Sequence, residues 1–262
     1  IQQISFMGSV IINKEKERNL QEYFRYEFKY LLSRNVMQEI EAEVQNFMRY
    51  DGHVDPVLDN QYLVRSLYFE TPSAENFHEK IDGIKTRRKY RLRTYSRVHN
   101  SDTPIFLEVK GRHNERTYKQ RVELDISDLD IIYNMENITD LIDIYSGISL
   151  IESFVFDVYR CRLSPAVLID YNRRPYVSDY DMYFRVTFDQ KVDAVSSVAL
   201  FPSDINSKFR SCVAGYSILE VKFNRRIPAW FHRIIQAHEM RRRSISKFVL
   251  GMTTCDLAED LS

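Results

Sequence analysis

The chain of 262 residues has little of what marks several common protein classes. Its three cysteines, Cys161, Cys212 and Cys255, are isolated and form no Cys-x-x-Cys pair, which predicts reduced thiols in a cytoplasmic protein. Only 7 glycines and 7 prolines are present, too few for a low-complexity chain. No apolar run approaches the ~18 residues of a membrane-spanning helix. The sequence therefore predicts an ordinary globular domain.

The chain also has no excess of positive or negative charge. The 37 Lys and Arg residues balance 37 Asp and Glu residues, so the sequence predicts no general attraction to nucleic acid. Cations are nevertheless concentrated in residues 85–93 (KTRRKYRLR) and 241–247 (RRRSISK). A local concentration of cations on a neutral protein predicts a compact anion-binding site.

Several well-defined catalytic motifs are absent from the sequence. It contains no P-loop or dinucleotide-binding glycine pattern and no Gly-x-Ser-x-Gly elbow. His232 and His238 are six residues apart, which does not place them on one face of a helix, so a zinc site is not favoured. The chemistry must therefore come from another set of residues.

Alternation of apolar and polar residues predicts nine strands. They cover residues 23–32, 62–70, 87–95, 104–111, 117–125, 153–162, 166–173, 182–189 and 216–224, with a hairpin turn at 111–114. Helical patterns follow Ser33, cover 73–81 and 127–150, begin at Pro228 and restart through 246–252. No linker or domain-length repeat interrupts this order. We expect a flexible lead-in over residues 1–20 and a single α+β domain over 21–255.

Charged residues recur on one face of these strands. Three strands carry Glu and Lys two residues apart, and others carry alternating Arg or Lys, so the charges of each strand share a face. This set comprises Arg25, Glu27, Lys29, Lys89, Arg91, Arg93, Glu108, Lys110, Lys119, Arg121, Arg185, Glu220 and Lys222. On one strand the pattern would fit a solvated face. Its repetition instead predicts that helices cover the apolar face while the charged face turns inward across a closed antiparallel β-barrel.

An interior of this kind would need an anionic ligand, because the cations repel one another. Arginine binds phosphate oxygens through two parallel hydrogen bonds, so a triphosphate or polyphosphate is the expected anion. The glutamates would balance charge and hold Mn²⁺ or Mg²⁺, which prefer oxygen ligands and bridge phosphates.

Seven segments in order, RYEFKY, KYRLRTY, LEVKGR, YNRRPY, RVTFD, LEVKF and SISKF, resemble the vacuolar transporter chaperone (VTC) polyphosphate polymerase domain of the triphosphate tunnel metalloenzyme (CYTH-like) superfamily. The resemblance covers about residues 24 to 252. It implies an antiparallel β-barrel forming a triphosphate tunnel, with peripheral helices and a C-terminal helix that plugs or borders it. It further implies transfer of the γ-phosphate of ATP to a growing inorganic polyphosphate chain, with Mn²⁺ or Mg²⁺.

The resemblance also implies roles for individual residues. Catalytic roles fall to Lys29, Arg91, Arg93, Lys110 and Arg173. Further substrate contacts fall to Lys119 or Arg121, Lys222 and Lys247. The charged strand pattern adds Arg25, Lys89 and Arg185 as expected substrate contacts and keeps both Lys119 and Arg121 as candidates. The resemblance makes Glu220 the leading metal ligand, and the repeated Glu and Lys pattern adds Glu27 and Glu108 as further candidates.

One departure from the superfamily pattern distinguishes the possible activities. Many tunnel triphosphatases begin with Glu-x-Glu-x-Lys, whereas Arg25 stands at the first position here. One carboxylate fewer favours polyphosphate synthesis over hydrolysis, and the presence of Glu220 favours an enzyme over a sensor. A triphosphate hydrolase or cyclase, and a binding module for polyphosphate or phosphorylated ligands, stay open as alternatives. Export across a membrane would need a separate membrane protein partner, and the sequence leaves the oligomeric state open.

Overall fold

The computed structural model describes residues 25–259 except 53, 100–102, 115 and 204–207, and the predicted lead-in over 1–20 lies outside them. This part of the chain forms an α+β fold of ten strands and seven α-helices. The strands are β1 (Tyr26–Ser33), β2 (Arg49–Tyr50), β3 (Tyr62–Glu70), β4 (Thr86–Thr94), β5 (Ile105–His113), β6 (Arg116–Leu124), β7 (Ser164–Val177), β8 (Arg185–Ser196), β9 (Arg210–Ser211) and β10 (Tyr216–Phe223). The helices are α1 (Arg34–Val44), α2 (Glu75–Ile81), α3 (Asp128–Tyr133), α4 (Asp140–Ile144), α5 (Ser149–Cys161), α6 (Ala229–Ala237) and α7 (Lys247–Thr254).

The strands form one antiparallel sheet that curls until its two edges meet. Its order is β1-β10-β8-β7-β3-β4-β5-β6, with β2 and β9 as short additions to β7 and β8. Arg25, just before β1, exchanges two backbone hydrogen bonds with Thr117 of β6, of 3.4 and 3.3 Å. Lys110 of β5 donates to Glu27 of β1 at 2.6 Å across the same seam. The predicted antiparallel barrel with peripheral helices is therefore confirmed.

Apolar side chains of the strands face outward and are covered by helices. Leu92 and Leu107, both 0% exposed, pack with residues of α3, α4 and α5 on one side of the barrel. Phe188 and Val221 pack with α1 and α6 on another side. Because side chains alternate along a strand, this arrangement turns the charged face of the same strands inward.

Helix α7 fills one end of the barrel interior. Phe248 and Met252 pack against inward residues of the strands, including Ile169 of β7 and Ile218 of β10. Gly251 allows this approach, because a Cβ at this position would lie 2.7 Å from Cδ1 of Ile169. The apolar part of the interior is thus closed by the C-terminal helix, and the charged part lies beyond it.

Residues 153–162 are predicted to form a strand, but residues 153–161 belong to helix α5 and Arg162 follows its end. Leu150, Ile151, Phe154, Val155 and Val158 are its buried apolar residues. Their spacing of three and four residues follows the helical period, and this periodicity outweighs the β-branched and aromatic composition that suggested a strand.

The predicted turn at 111–114 is also displaced, because β5 continues to His113. A Cβ at position 111 would overlap the ring of Tyr118 on β6. Gly111 therefore makes room for a ring that lies across the strand, rather than supplying a turn. The turn itself follows His113, with Asn114 at a φ of 54°.

The predicted helix from Pro228 ends at Ala237, and the basic residues 241–243 lie in irregular backbone before α7. In the described part of the chain, no helix combines the length and the apolar character needed to cross a membrane.

Candidate functional site

Three cations converge on Glu108 on the inner face of the barrel. Arg91 donates from Nε and Nη2 to Glu108 Oε2 at 2.8 and 2.6 Å. Arg93 Nε lies 3.7 Å from the same oxygen, and Lys119 forms an ion pair with the other one. In the register, Arg91 of β4 stands directly opposite Glu108 of β5. Arg93 on β4 and Lys119 on β6 lie two residues from the positions opposite Glu108, so they share its face and reach it diagonally.

One carboxylate cannot fully compensate these cations. Burial favours a raised pKa for Glu108, but Arg93, Arg91 and Lys119 hold that pKa well below its ordinary value. Burial lowers the pKa of Lys119 to about 7, because repulsion by Arg93 and Arg91 adds to the desolvation and outweighs the attraction of Glu108. This group has a net positive charge with little solvent around it.

A second group surrounds Asp189 of β8 and Glu220 of β10. Arg173 donates to both oxygens of Asp189 at 2.7 and 2.8 Å and to Glu220 Oε2 at 3.1 Å. Lys29 and Lys222 lie 3.9 and 3.6 Å from Glu220. Arg173 therefore bridges the two carboxylates, and lysines from β1 and β10 complete the group.

The lysines of the second group are also poorly solvated. Burial lowers the pKa of Lys222 well below its ordinary value, since Glu220 offsets only part of this effect. Burial likewise lowers the pKa of Lys29, whose Nζ also donates to the carbonyl of Ile245 at 3.2 Å. Burial favours a raised pKa for Glu220, but Lys222, Lys29 and Lys247 hold it well below its ordinary value. The carboxylate is thus ionised among several cations.

Other predicted site residues line the edges of this interior. Lys110 pairs with Glu27 across the seam, and Arg25 lies 4.0 Å from Glu27. The Arg121 guanidinium stacks over the Phe106 ring at 4.6 Å. Arg185 is exposed at the start of β8, opposite Lys222 in the register.

Lys89 lies apart from both carboxylate groups. Its ammonium sits 3.9 Å from the centroid of the Phe248 ring, at the start of α7. Among the described residues its Nζ has no hydrogen-bond partner, although it is buried. Burial lowers the pKa of Lys89 to about 7, and Glu70 offsets only part of this shift.

The three predicted metal ligands are not gathered in one place. Glu108 belongs to the first group, whereas Glu27 and Glu220 lie on neighbouring strands β1 and β10 and interact with each other electrostatically. In the part of the chain that the structure describes, no three His, Cys, Asp or Glu side chains cluster as a metal site. Two ionised carboxylates do fit Mg²⁺ or Mn²⁺, because such ions often take one or two carboxylates and complete their shell with phosphate oxygens and water.

The site includes residues that were not among the predicted candidates. Asp189 is 0% exposed and accepts from two cations, and its place on the face of Arg185 in the RVTFD segment could have revealed it. Tyr68 and Tyr171 accept hydrogen bonds from Arg91 and Arg93. Nothing in the sequence distinguishes these tyrosines from ordinary core aromatics.

Neighbouring arginines of the YNRRPY segment have different surroundings. Arg173 points into the barrel, whereas Arg174 donates to both oxygens of Glu41 on α1, at 2.9 and 2.7 Å. Tyr176 donates to the same carboxylate at 2.8 Å. Arg174 thus attaches α1 to the outer side of the sheet.

Comparison with known proteins identifies a family. A model of the VTC domain matches residues 24–255. Among solved structures, a putative adenylyl cyclase from Hippeastrum, described with a dominant triphosphatase activity, is 11% identical over 90% of this chain and 97% of its own, with a TM-score of 0.49. A putative adenylate cyclase from Bacillus halodurans is 11% identical over 85% of this chain and 93% of its own, with a TM-score of 0.47. No curated protein matches the sequence. Since the family match covers most of its length, this chain belongs to the VTC domain family.

Proposed function

We propose that the barrel interior binds a chain of phosphates and transfers the γ-phosphate of ATP to inorganic polyphosphate. The observation that carries this proposal is the excess of buried and partly buried cations over carboxylates on the inner face. The cations are Lys29, Lys89, Arg91, Arg93, Lys110, Lys119, Arg173, Lys222 and Lys247, and the carboxylates are Glu27, Glu70, Glu108, Asp189 and Glu220. A bound phosphate chain would supply the missing negative charge.

The two groups of charges suit an extended ligand. The Glu108 group is built on β4, β5 and β6, and the Asp189 and Glu220 group is built on β7, β8, β10 and β1. They therefore approach the interior from different sides. A polyanion with several phosphates can contact both groups, whereas a single phosphate can satisfy only one.

The reaction requires mainly positioning and neutralisation of charge. An oxygen of the terminal phosphate of polyphosphate forms a bond to the γ-phosphorus, the bond from that phosphorus to the β-phosphate oxygen breaks, and ADP leaves. This nucleophile is already ionised at neutral pH, so no general base is required. Arg91 and Arg93 would hold the phosphate oxygens through paired hydrogen bonds. Mn²⁺ or Mg²⁺, held by Glu220 and Glu27, would add positive charge beside the phosphates.

Charge also argues against hydrolysis as the main reaction. A water nucleophile benefits from a general base whose pKa lies near the working pH. Cations hold the pKa of Glu108, Asp189 and Glu220 below the ordinary carboxylate range. These groups are weak bases, which supports a phosphate nucleophile.

The proposal is tested by the fate of the phosphate that ATP loses. Purified protein is incubated with ATP, Mn²⁺ and short polyphosphate, and ADP, free phosphate and polymer-bound phosphate are measured together. We expect one polymer-bound phosphate for each ADP formed. Free phosphate equal to ADP would assign a triphosphatase instead, and tight polyphosphate binding without ADP would assign a binding module.

A further inference from the structure

Tyr68 of β3 lies between Arg91 and the C-terminal helix. It is 7% exposed, and its hydroxyl accepts a hydrogen bond from Nη1 of Arg91 at 2.8 Å. Its ring centroid lies 5.4 Å from that of Phe248, the second residue of α7. The register places Tyr68 directly opposite Arg91 in the β3–β4 pair. Tyr68 therefore contacts both Arg91 and the helix that fills the barrel.

The guanidinium of Arg91 is held from two sides. Glu108 accepts from Nε and Nη2, and Tyr68 accepts from Nη1. A guanidinium has five N–H groups, so these bonds leave one on each Nη nitrogen. Those two groups are available to donate to phosphate oxygens. The acceptors on opposite sides fix the direction in which they point.

We propose that Tyr68 is a positioning residue that orients Arg91 for phosphoryl transfer and links this orientation to the docking of α7. The inference rests on the proposed function, because it assigns Tyr68 a part in the same reaction. Without the phenol oxygen, the guanidinium of Arg91 would be held only by its hydrogen bonds to Glu108 and could rotate about them. A misdirected donor pair costs rate even when the charge is retained, since preorganised donors need no rearrangement during the reaction.

The charges around Tyr68 are consistent with this role. Burial favours a raised pKa for its phenol, but Arg91, Arg93 and Lys247 together lower the pKa below its ordinary value. The phenol oxygen therefore lies in the positive field of the site. Phe248, which packs on Tyr68, also lies under the ammonium of Lys89, so one residue of α7 contacts two neighbours of the site.

Tyr90 of β4 supplies a matched control. It is 3% exposed, and its hydroxyl donates to Asp157 of α5 at 3.1 Å. It faces the outer core, away from the phosphate-binding residues. Tyr68→Phe and Tyr90→Phe each remove one buried hydroxyl that is bonded to a charged group. Both should lower Tm, but only the first should affect the reaction.

The test compares kcat, KM and tripolyphosphate affinity of the two folded variants with wild type. We expect Tyr68→Phe to lower kcat at least tenfold and Tyr90→Phe to change it less than twofold. When Arg91 is already replaced by Lys, adding Tyr68→Phe should lower kcat by less than a further twofold. An ammonium has no paired donors for Tyr68 to orient. A second variant, Phe248→Leu, should also lower kcat, because it removes the ring that packs on Tyr68.

Equal kcat, KM and tripolyphosphate affinity in folded Tyr68→Phe and Tyr90→Phe would overturn the inference. The inference would also be overturned if Tyr68→Phe lowered kcat as much in the Arg91→Lys protein as it does in wild type. If wild type binds tripolyphosphate without transferring phosphate, the proposed function fails, but the affinities still decide the role of Tyr68. In that case a weaker affinity in Tyr68→Phe alone would support it.

Discussion

The ammonium of Lys247 lies 2.5 Å from the Oδ2 oxygen of Asp189, inside the barrel. Lys247 is the first residue of α7, and Asp189 is a 0% exposed residue of β8 that also accepts from Arg173. The Lys247 ammonium also sits 4.6 Å from the Tyr171 ring centroid. The ion pair therefore fixes the start of α7 at the second group of charges, and the helix that closes the barrel adds a cation to the site.

Asp189→Asn should destabilise the protein strongly. Burial favours a raised pKa for Asp189, but Arg173 and Lys247 lower it to about 2, so its stabilising effect is present above pH ~4 and is lost as pH falls through about 2. The amide leaves Lys247 without its carboxylate and Arg173 with Glu220 alone, and the free energy of unfolding should fall by about 3–5 kcal/mol at pH 7. Denaturant unfolding measures this change.

The same variant tests whether phosphate replaces the lost charge. Tripolyphosphate should raise the Tm of Asp189→Asn by more than that of wild type, because the ligand supplies a missing anion. Arg49→Ala is a suitable control, since its ion pair with Asp179 is largely exposed. An equal rise in Tm for wild type and Asp189→Asn would contradict this account.

Arg91→Ala and Arg93→Ala should each abolish phosphate transfer while leaving the fold intact. Each removes a cation that faces the interior, and a loss of at least 10²-fold in kcat is expected for donors of this kind. Arg88→Ala is the matched control on the same strand, because Arg88 pairs with Asp157 on the outer side and its side chain is 42% exposed. Wild-type activity in either folded inward variant, or an equal loss in Arg88→Ala, would remove these arginines from the mechanism.

Two lysines of the interior should take up protons when tripolyphosphate binds at pH 8. The pKa values of Lys89 and Lys119 are lowered to about 7 by burial, so both amines are largely neutral at pH 8 in the free protein. A phosphate nearby stabilises their charged forms, and affinity should therefore fall as pH rises above about 7. Titration calorimetry in buffers of different ionisation enthalpy measures the uptake.

Lys119→Arg provides the control for this proton uptake. A guanidinium stays charged at pH 8, so the variant should take up fewer protons on binding. Tripolyphosphate also titrates in this range, because its last proton leaves an anion that is already highly charged, but this contribution is the same for both proteins and cancels in their difference. Net proton uptake that is equal in wild type and Lys119→Arg would show that Lys119 is not in contact with the ligand.

Strand alternation predicted the parts of this fold that follow a simple period. Strand β3 covers residues 62–70, as predicted. Alternation places Lys29, Arg91 and Lys222 on the polar faces of their strands, and these faces turn inward because helices cover the apolar faces. The strand prediction for residues 153–162 is wrong because this part of α5 is rich in Val, Phe and Tyr, although its buried residues follow the helical period.

Contacts between distant strands could not be predicted from the sequence. Glu108 was grouped with Glu27 and Glu220 because the three share a local pattern, but the strand order places β5 three strands away from β10 through the seam. The role of Tyr68 could not be predicted for the same reason. It depends on contacts with Arg91 on the neighbouring strand β4 and with Phe248, which is far away in the sequence. The local period predicts on which face of a strand a residue lies. Its contact partners depend on the register between strands and on how the sheet closes.

Transfer of label from ATP to a polyphosphate primer of defined length is the most direct test of the central claim. Wild type and Arg91→Ala are each incubated with ATP labelled at the γ-phosphate, Mn²⁺ and the primer, and the products are separated by length. The account predicts label in chains longer than the primer with wild type and none with Arg91→Ala. Label found only as free phosphate with wild type would contradict it.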